Sequence, residues 1–174
     1  MEIKPIDFEL REFAYASLVR VPLFKNLKPH TFESMFDCFT IVEYEVGETI
    51  ISQGRTIDSL LVLLQGKVSI NALNKSFENV IISELSAPCA IGEISLLLEG
   101  KPTATVKAVG RIQALKISKE DFLAFFENLP GFGLCIAQGL SERVADLTQK
   151  YVKEQQETID YSNLRKDANG KYLW

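Results

Sequence analysis

The stretch Gly92-Glu93-Ile94-Ser95, followed by Leu96-Leu97-Leu98 and then Lys101-Pro102-Thr103-Ala104, carries the residues best suited to chemistry. A glycine ahead of one turn of helix leaves backbone N–H groups unpaired at the helix start, here those of Ile94 and Ser95, and such a nest suits an anion. Glu93 beside it can only accept hydrogen bonds, which fits sugar hydroxyls and does not fit phosphate. A sugar phosphate satisfies both halves of that pairing. Taken alone, the same residues also describe a plain turn before a buried leucine run.

The other chemistry-bearing residues form no rival site. His30 is the single histidine and stands beside Pro29 at a helix start, so Ser-His-Asp or Cys-His catalysis has no base near the remaining candidates. A cupin-type metal site on a β-roll needs several histidine ligands, and one histidine outside the strands does not supply them. Gly100-Lys101 is followed by Pro102 where a P-loop has Ser or Thr, and the GxxxxGK spacing is absent. Asp167-Ala168-Asn169-Gly170 imitates part of a calcium loop but lacks its closing carboxylate, and reads as an Asn-Gly turn. Glu43, Glu45 and Glu48 read as solvated charge on one strand face. No enzyme, metal or resident cofactor is expected.

Composition is that of an ordinary globular protein. The 174 residues, 47% hydrophobic and 24% charged, suit one domain with a substantial core and an appended helix or tail. No segment approaches the roughly 18 consecutive apolar residues of a membrane span, and acids stand where a secretion signal would be apolar, so the expected location is the cytoplasm. Three cysteines, Cys38, Cys89 and Cys135, are odd in number and form no CxxC pair, which predicts reduced, buried thiols. A formal charge of −4 and no block of consecutive basic residues argue against direct DNA binding.

The elements that must position the opening stretch follow from periodicity. Residues 7–18 read as a helix, and Pro29 opens a second one with Phe32, Met35, Phe36 and Phe39 on its core face. From Thr40 the period becomes two, with Val42, Tyr44 and Val46 alternating against glutamates. IISQG, SLLVLLQG, KVSINAL, NVIISEL, TATVKAV and RIQALKI then read as short antiparallel strands broken at glycines, which predicts a mainly β fold: an antiparallel, jelly-roll-like β-roll with flanking helices. Ser118 with Asp121 caps a helix interrupted at Pro130-Gly131. A long helix starts near Phe132, and Ala137, Leu140, Val144, Leu147 and Tyr151 recur at steps of three and four, a seam that predicts homodimerisation and serves equally to lay the helix on its own sheet. Residues beyond 157 are polar and read as a tail or docking strand.

Pro22-Leu23-Phe24, Tyr44 with Gly47-Glu48, Ile51 to Gly54, Asp58 to Gly66, Gly92 to Leu97 and Ala104-Thr105-Val106 together resemble the cyclic-nucleotide-binding domain of catabolite activators and of cyclic-AMP-dependent kinase regulatory subunits. The resemblance covers about residues 20 to 155, giving an N-terminal helix over 1–20, the binding domain with its B and C helices over 21–157, and a polar tail over 158–174. It implies a short phosphate-cassette helix, which periodicity alone does not reveal. It further implies a ligand site that starts at Gly92, in which Glu93 binds the ribose 2′-hydroxyl, Ile94 and Ser95 form the phosphate nest, and Thr103 or Ala104 sits beside the phosphate. The base is expected near Thr148 and Gln149.

Two departures accompany the resemblance. The phosphate arginine of the family is replaced by Pro102 or Thr103, depending on loop length, and Lys101 is the nearby cation that could stand in as a point charge. The residues after 157 also do not read as a winged helix-turn-helix. Two functions follow as expectations. One is a non-enzymatic sensor for cyclic AMP or cyclic GMP that signals through helix movement to a partner protein. The other is a degenerate domain that binds no nucleotide and serves as a dimerisation or interaction module.

Overall fold

The computed structural model describes residues 3–4, 8–73, 79–98 and 100–162, with side chains described over 11–73, 79–98 and 100–153. Strand β1 (Ile3–Lys4) precedes α1 (Phe8–Leu18) and α2 (Pro29–Met35), and a 3-10 turn over Phe36–Cys38 leads into β2 (Phe39–Tyr44). There follow β3 (Thr49–Ile51), β4 (Ser59–Gln65), β5 (Lys67–Leu73), β6 (Asn79–Ser86) and β7 (Cys89–Ile91). After them come α3 (Glu93–Leu97), β8 (Thr105–Ala108), β9 (Ile112–Ser118), α4 (Lys119–Asn128) and α5 (Phe132–Ser162). The strands form two antiparallel sheets, ordered β1-β2-β9-β4-β7 and β3-β8-β5-β6.

The first sheet separates two apolar cores. In β4, Leu60, Val62 and Leu64 join the helix-side core while Leu61 and Leu63 face the interior of the roll. In β9 the division is Leu115 and Ile117 against Ile112 and Ala114. A strand covered on both faces needs no polar alternation, which is why residues 60–64 are an unbroken apolar run. Ile41 and Val42 are likewise both buried, one on each side.

The predicted strands are present, and several details differ. Val46 lies beyond the end of β2 and is 68% exposed, because the chain turns at Gly47 before it could point inward. The second helix ends at Met35, and Phe39 starts β2 with its ring still in the helix-side core. Two short strands, β1 and β7, escaped the periodicity. The capping box is present: Ser118 Oγ accepts from the Asp121 amide at 3.0 Å. α5 continues through Ser162, so residues 158–162 extend the long helix; the rest of the expected tail, 163–174, lies outside the described residues.

The start of α5 is fixed to the turn that follows α1. Gly139 packs so closely that a Cβ there would stand 2.5 Å from the Pro22 carbonyl oxygen and from Leu23 Cα. Around that contact, Cys135 Sγ donates to the Leu23 carbonyl at 3.6 Å, Asn26 Nδ2 donates to Gln138 Oε1 at 3.1 Å, and Lys25 pairs with Glu142 at 2.6 Å. Gly139→Ala must push the turn and helix apart, and we expect destabilisation of about 1–3 kcal/mol. Urea unfolding checks this, and an unchanged midpoint would mean the turn yields freely.

Candidate functional site

The geometry of the opening stretch begins at β7. This strand pairs with β4 and delivers the chain to Gly92, whose φ of 95° is the left-handed conformation that turns strand into helix. A side chain at Gly92 would be strained by that φ, and its Cβ would meet Ile57 Cδ1 at 3.1 Å and the Ser59 carbonyl oxygen at 3.3 Å. The turn therefore needs glycine, and α3 starts immediately behind it with Glu93 in its first position.

Glu93 points into the protein. It is 3% exposed, whereas its neighbour Ile94 is 53% exposed. The loop that closes the opposite wall is tied to the turn after β3: the Gly54 amide donates to the Pro102 carbonyl at 2.9 Å, and the Gln53 amide donates to Thr105 Oγ1 at 3.1 Å. Between these walls lies a cavity of about 200 Å³ with an apolar floor of Ile51, Ile70, Ile91 and Val106. Gly92, Glu93, Ile94, Ser95, Lys101, Thr103 and Ala104 all line it. The structure thus brings together the residues expected around the sugar and phosphate, though not the two expected near the base.

It also adds one residue. Arg143 of α5 reaches into the cavity, and its Nη1 donates to Glu93 Oε1 in an ion pair. The Glu93 side chain is 4% exposed and that of Arg143 39%. Burial pushes the Glu93 carboxyl above the ordinary carboxylate range, while the Arg143 guanidinium and the residue's own amide pull it partly back. The neighbouring Cys89 thiol is pushed up to about 11 by burial and stays neutral at physiological pH. The periodicity of α5 held the signal for Arg143. The buried positions Phe132, Ile136 and Gly139 define an inward face that arrives at residue 143 after another four residues.

Other expected residues lie elsewhere. Thr148 and Gln149 are exposed on α5 and do not line the cavity, and Thr148 Oγ1 donates to the Val144 carbonyl at 2.8 Å within its own helix. Along the seam, Ala137 is exposed, Leu140 packs partly against the helix-side core, and Val144, Leu147 and Tyr151 are 63%, 58% and 64% exposed. Glu43, expected to be solvated, is a half-buried residue that accepts from Arg111 at 3.1 Å. The three cysteines are free thiols; Cys135 is buried as expected, and Cys38 and Cys89 are only half-buried. His30 is exposed at the start of α2. Among the described residues no histidine, cysteine and carboxylate cluster could hold a metal ion, and no helix is long and apolar enough to cross a membrane.

Comparison with known proteins gives the same picture. The family model described as "Cyclic nucleotide-binding domain" matches residues 41–128. The cyclic AMP receptor protein of Thermus thermophilus is 27% identical over 83% of this chain and 68% of its own length. The cAMP-dependent protein kinase regulatory subunit of Blastocladiella emersonii is 26% identical over 64% of this chain, and the match covers 28% of that protein. The crystal structure of the Thermus thermophilus catabolite activator protein superposes with a TM-score of 0.64 at 25% identity, covering 82% of this chain and 64% of that one.

Proposed function

The chain belongs to the cyclic nucleotide-binding domain family, and from that membership we propose that it is a non-enzymatic regulatory module whose cavity takes cyclic AMP or cyclic GMP. The observation that carries the reading is Glu93: a carboxylate buried to 3% exposure at the lip of a helix start, facing a cavity rather than the core. Burying a charge is costly, and a site that maintains one has an acceptor ready for ligand hydroxyls. The ribose 2′-hydroxyl donates to Glu93, and the ring phosphate lies against the Ile94 and Ser95 end of α3.

Size gives the mechanism of response. A cavity of about 200 Å³ is below the roughly 300–1,000 Å³ of typical small-molecule sites. Arg143 lines this cavity and is paired there with Glu93. Entry of the sugar phosphate shifts this guanidinium, and because Arg143 sits on α5 the shift is passed to a helix whose residues 144–153 are solvent-exposed. Occupancy then biases the position of α5, as a population shift between two arrangements. We place the output on the same helix. Val144, Leu147 and Tyr151 form an apolar stripe suited to a second copy of the chain, and Leu147→Asp should convert a dimer to a monomer in sedimentation. A wild-type protein that already sediments as a monomer contradicts the dimer.

A second reading, an interaction module without ligand, is favoured by the same ion pair taken as a permanent plug and by the uncharged Pro102 and Thr103. Calorimetric titration with cyclic AMP and with cyclic GMP separates the two. Saturable heat with either nucleotide is expected, and none with both at high micromolar concentration would leave only the interaction module.

A further inference from the structure

We infer that Arg143 supplies the phosphate charge that a strand-start arginine supplies elsewhere in the family, so that the cyclic phosphate is held from the helix α5 and not from the strand β8. This rests on the reading that the cavity takes a cyclic nucleotide, and it names the residue that makes binding possible without the missing arginine.

The lining of the cavity leaves few alternatives. Its cationic residues are Lys101 and Arg143. Lys101 is an exposed rim residue, a strongly hydrated point charge. Arg143 is half-buried and already engaged with an anion inside the cavity. Its guanidinium has five N–H donors in a planar fork, and the single contact with Glu93 Oε1 leaves donors for a second acceptor.

Charge balance keeps it there when a ligand enters. The ribose hydroxyl that reaches Glu93 is neutral and brings no countercharge, so withdrawal of Arg143 would leave a buried carboxylate uncompensated, a strongly unfavourable state. The phosphate adds a second negative charge a short distance away on the same ligand. A guanidinium between carboxylate and phosphate serves both, and fork-shaped pairing with phosphate is the geometry arginine provides best. The arrangement has a consequence that a strand arginine lacks. The ligand's charge is felt directly by the helix that carries the exposed stripe, with no intermediate element.

The test compares a charged and an uncharged ligand. Wild-type protein, Arg143→Gln and Arg143→Lys are titrated with cyclic AMP and with adenosine, which keeps the ribose hydroxyls and lacks the phosphate. Thermal melts confirm that the variants are folded. We expect Arg143→Gln to weaken cyclic AMP binding by about tenfold or more, to leave adenosine binding equal or tighter, and Arg143→Lys to fall between. Tighter binding of both ligands by Arg143→Gln would make Arg143 a plug and overturn the inference. Parallel loss of both would make its role purely structural, and unchanged cyclic AMP affinity would give the charge to Lys101. Either result overturns the inference while the nucleotide reading stands, whereas a wild-type protein that binds neither ligand overturns both.

Discussion

Glu93→Ala is expected to lower cyclic AMP affinity by on the order of a hundredfold, because a hydrogen bond to a charged acceptor contributes about 1.5–3 kcal/mol and the substitution also removes the anchor that orients Arg143. The protein should still fold. The guanidinium left behind is 39% exposed and can reach water, so no buried charge is stranded. Glu93→Gln gives the companion result in stability. Burial raises the folded carboxyl above its unfolded value, so the folded state binds more protons between the two values, and stability falls as pH rises through that window from the ordinary glutamate range upward. Glutamine removes that titration. Melting temperatures between about pH 4 and neutrality should decline less in Glu93→Gln than in wild type. Parallel pH profiles, or undiminished cyclic AMP affinity in Glu93→Ala, would place the carboxylate outside the binding chemistry.

Thr103→Arg is expected to tighten cyclic AMP binding by about tenfold or more, since it returns a charge-assisted fork to the loop that faces α3. The structure distinguishes the two positions the sequence left open. Pro102 is buried, and its carbonyl holds the Gly54 amide at 2.9 Å, whereas Thr103 is exposed and lines the cavity. An arginine stem at 103 can lie along the rim, while at 102 it would displace packed atoms. Calorimetry of Thr103→Arg beside Pro102→Arg checks this. Equal, unimproved affinity in both would mean that the phosphate does not lie against this loop.

How much of this was legible in the sequence depends on what each residue answers to. Strand positions such as Val42 and Leu61 report their burial through composition and spacing, because a side chain facing a core must be apolar wherever its partner strand lies. The roll was readable on that account, as was the Ser118 cap, whose partner is three residues away. β7 is three residues long and apolar on both faces, too short to show any period. α3, at five residues, is too short to show a helical one, and only the family resemblance indicated it. Arg143 lies 50 residues from Glu93. No local rule joins an arginine on one helix to a glutamate on another; their meeting depends on the Gly139 contact with Pro22 and Leu23, which sets where α5 leaves the roll. The candidate-site residues were legible as types, and the ion pair between Glu93 and Arg143 was a product of tertiary packing.

Whether Glu93 reads a ribose hydroxyl inside this cavity is decided by calorimetric titration of the wild-type protein with cyclic AMP and with 2′-deoxy cyclic AMP. Saturable binding of cyclic AMP is expected, with an affinity for the deoxy analogue lower by about ten- to a hundredfold, the loss of one hydrogen bond to a charged acceptor. Equal affinity for the two nucleotides, or heat from neither, would contradict that role of Glu93.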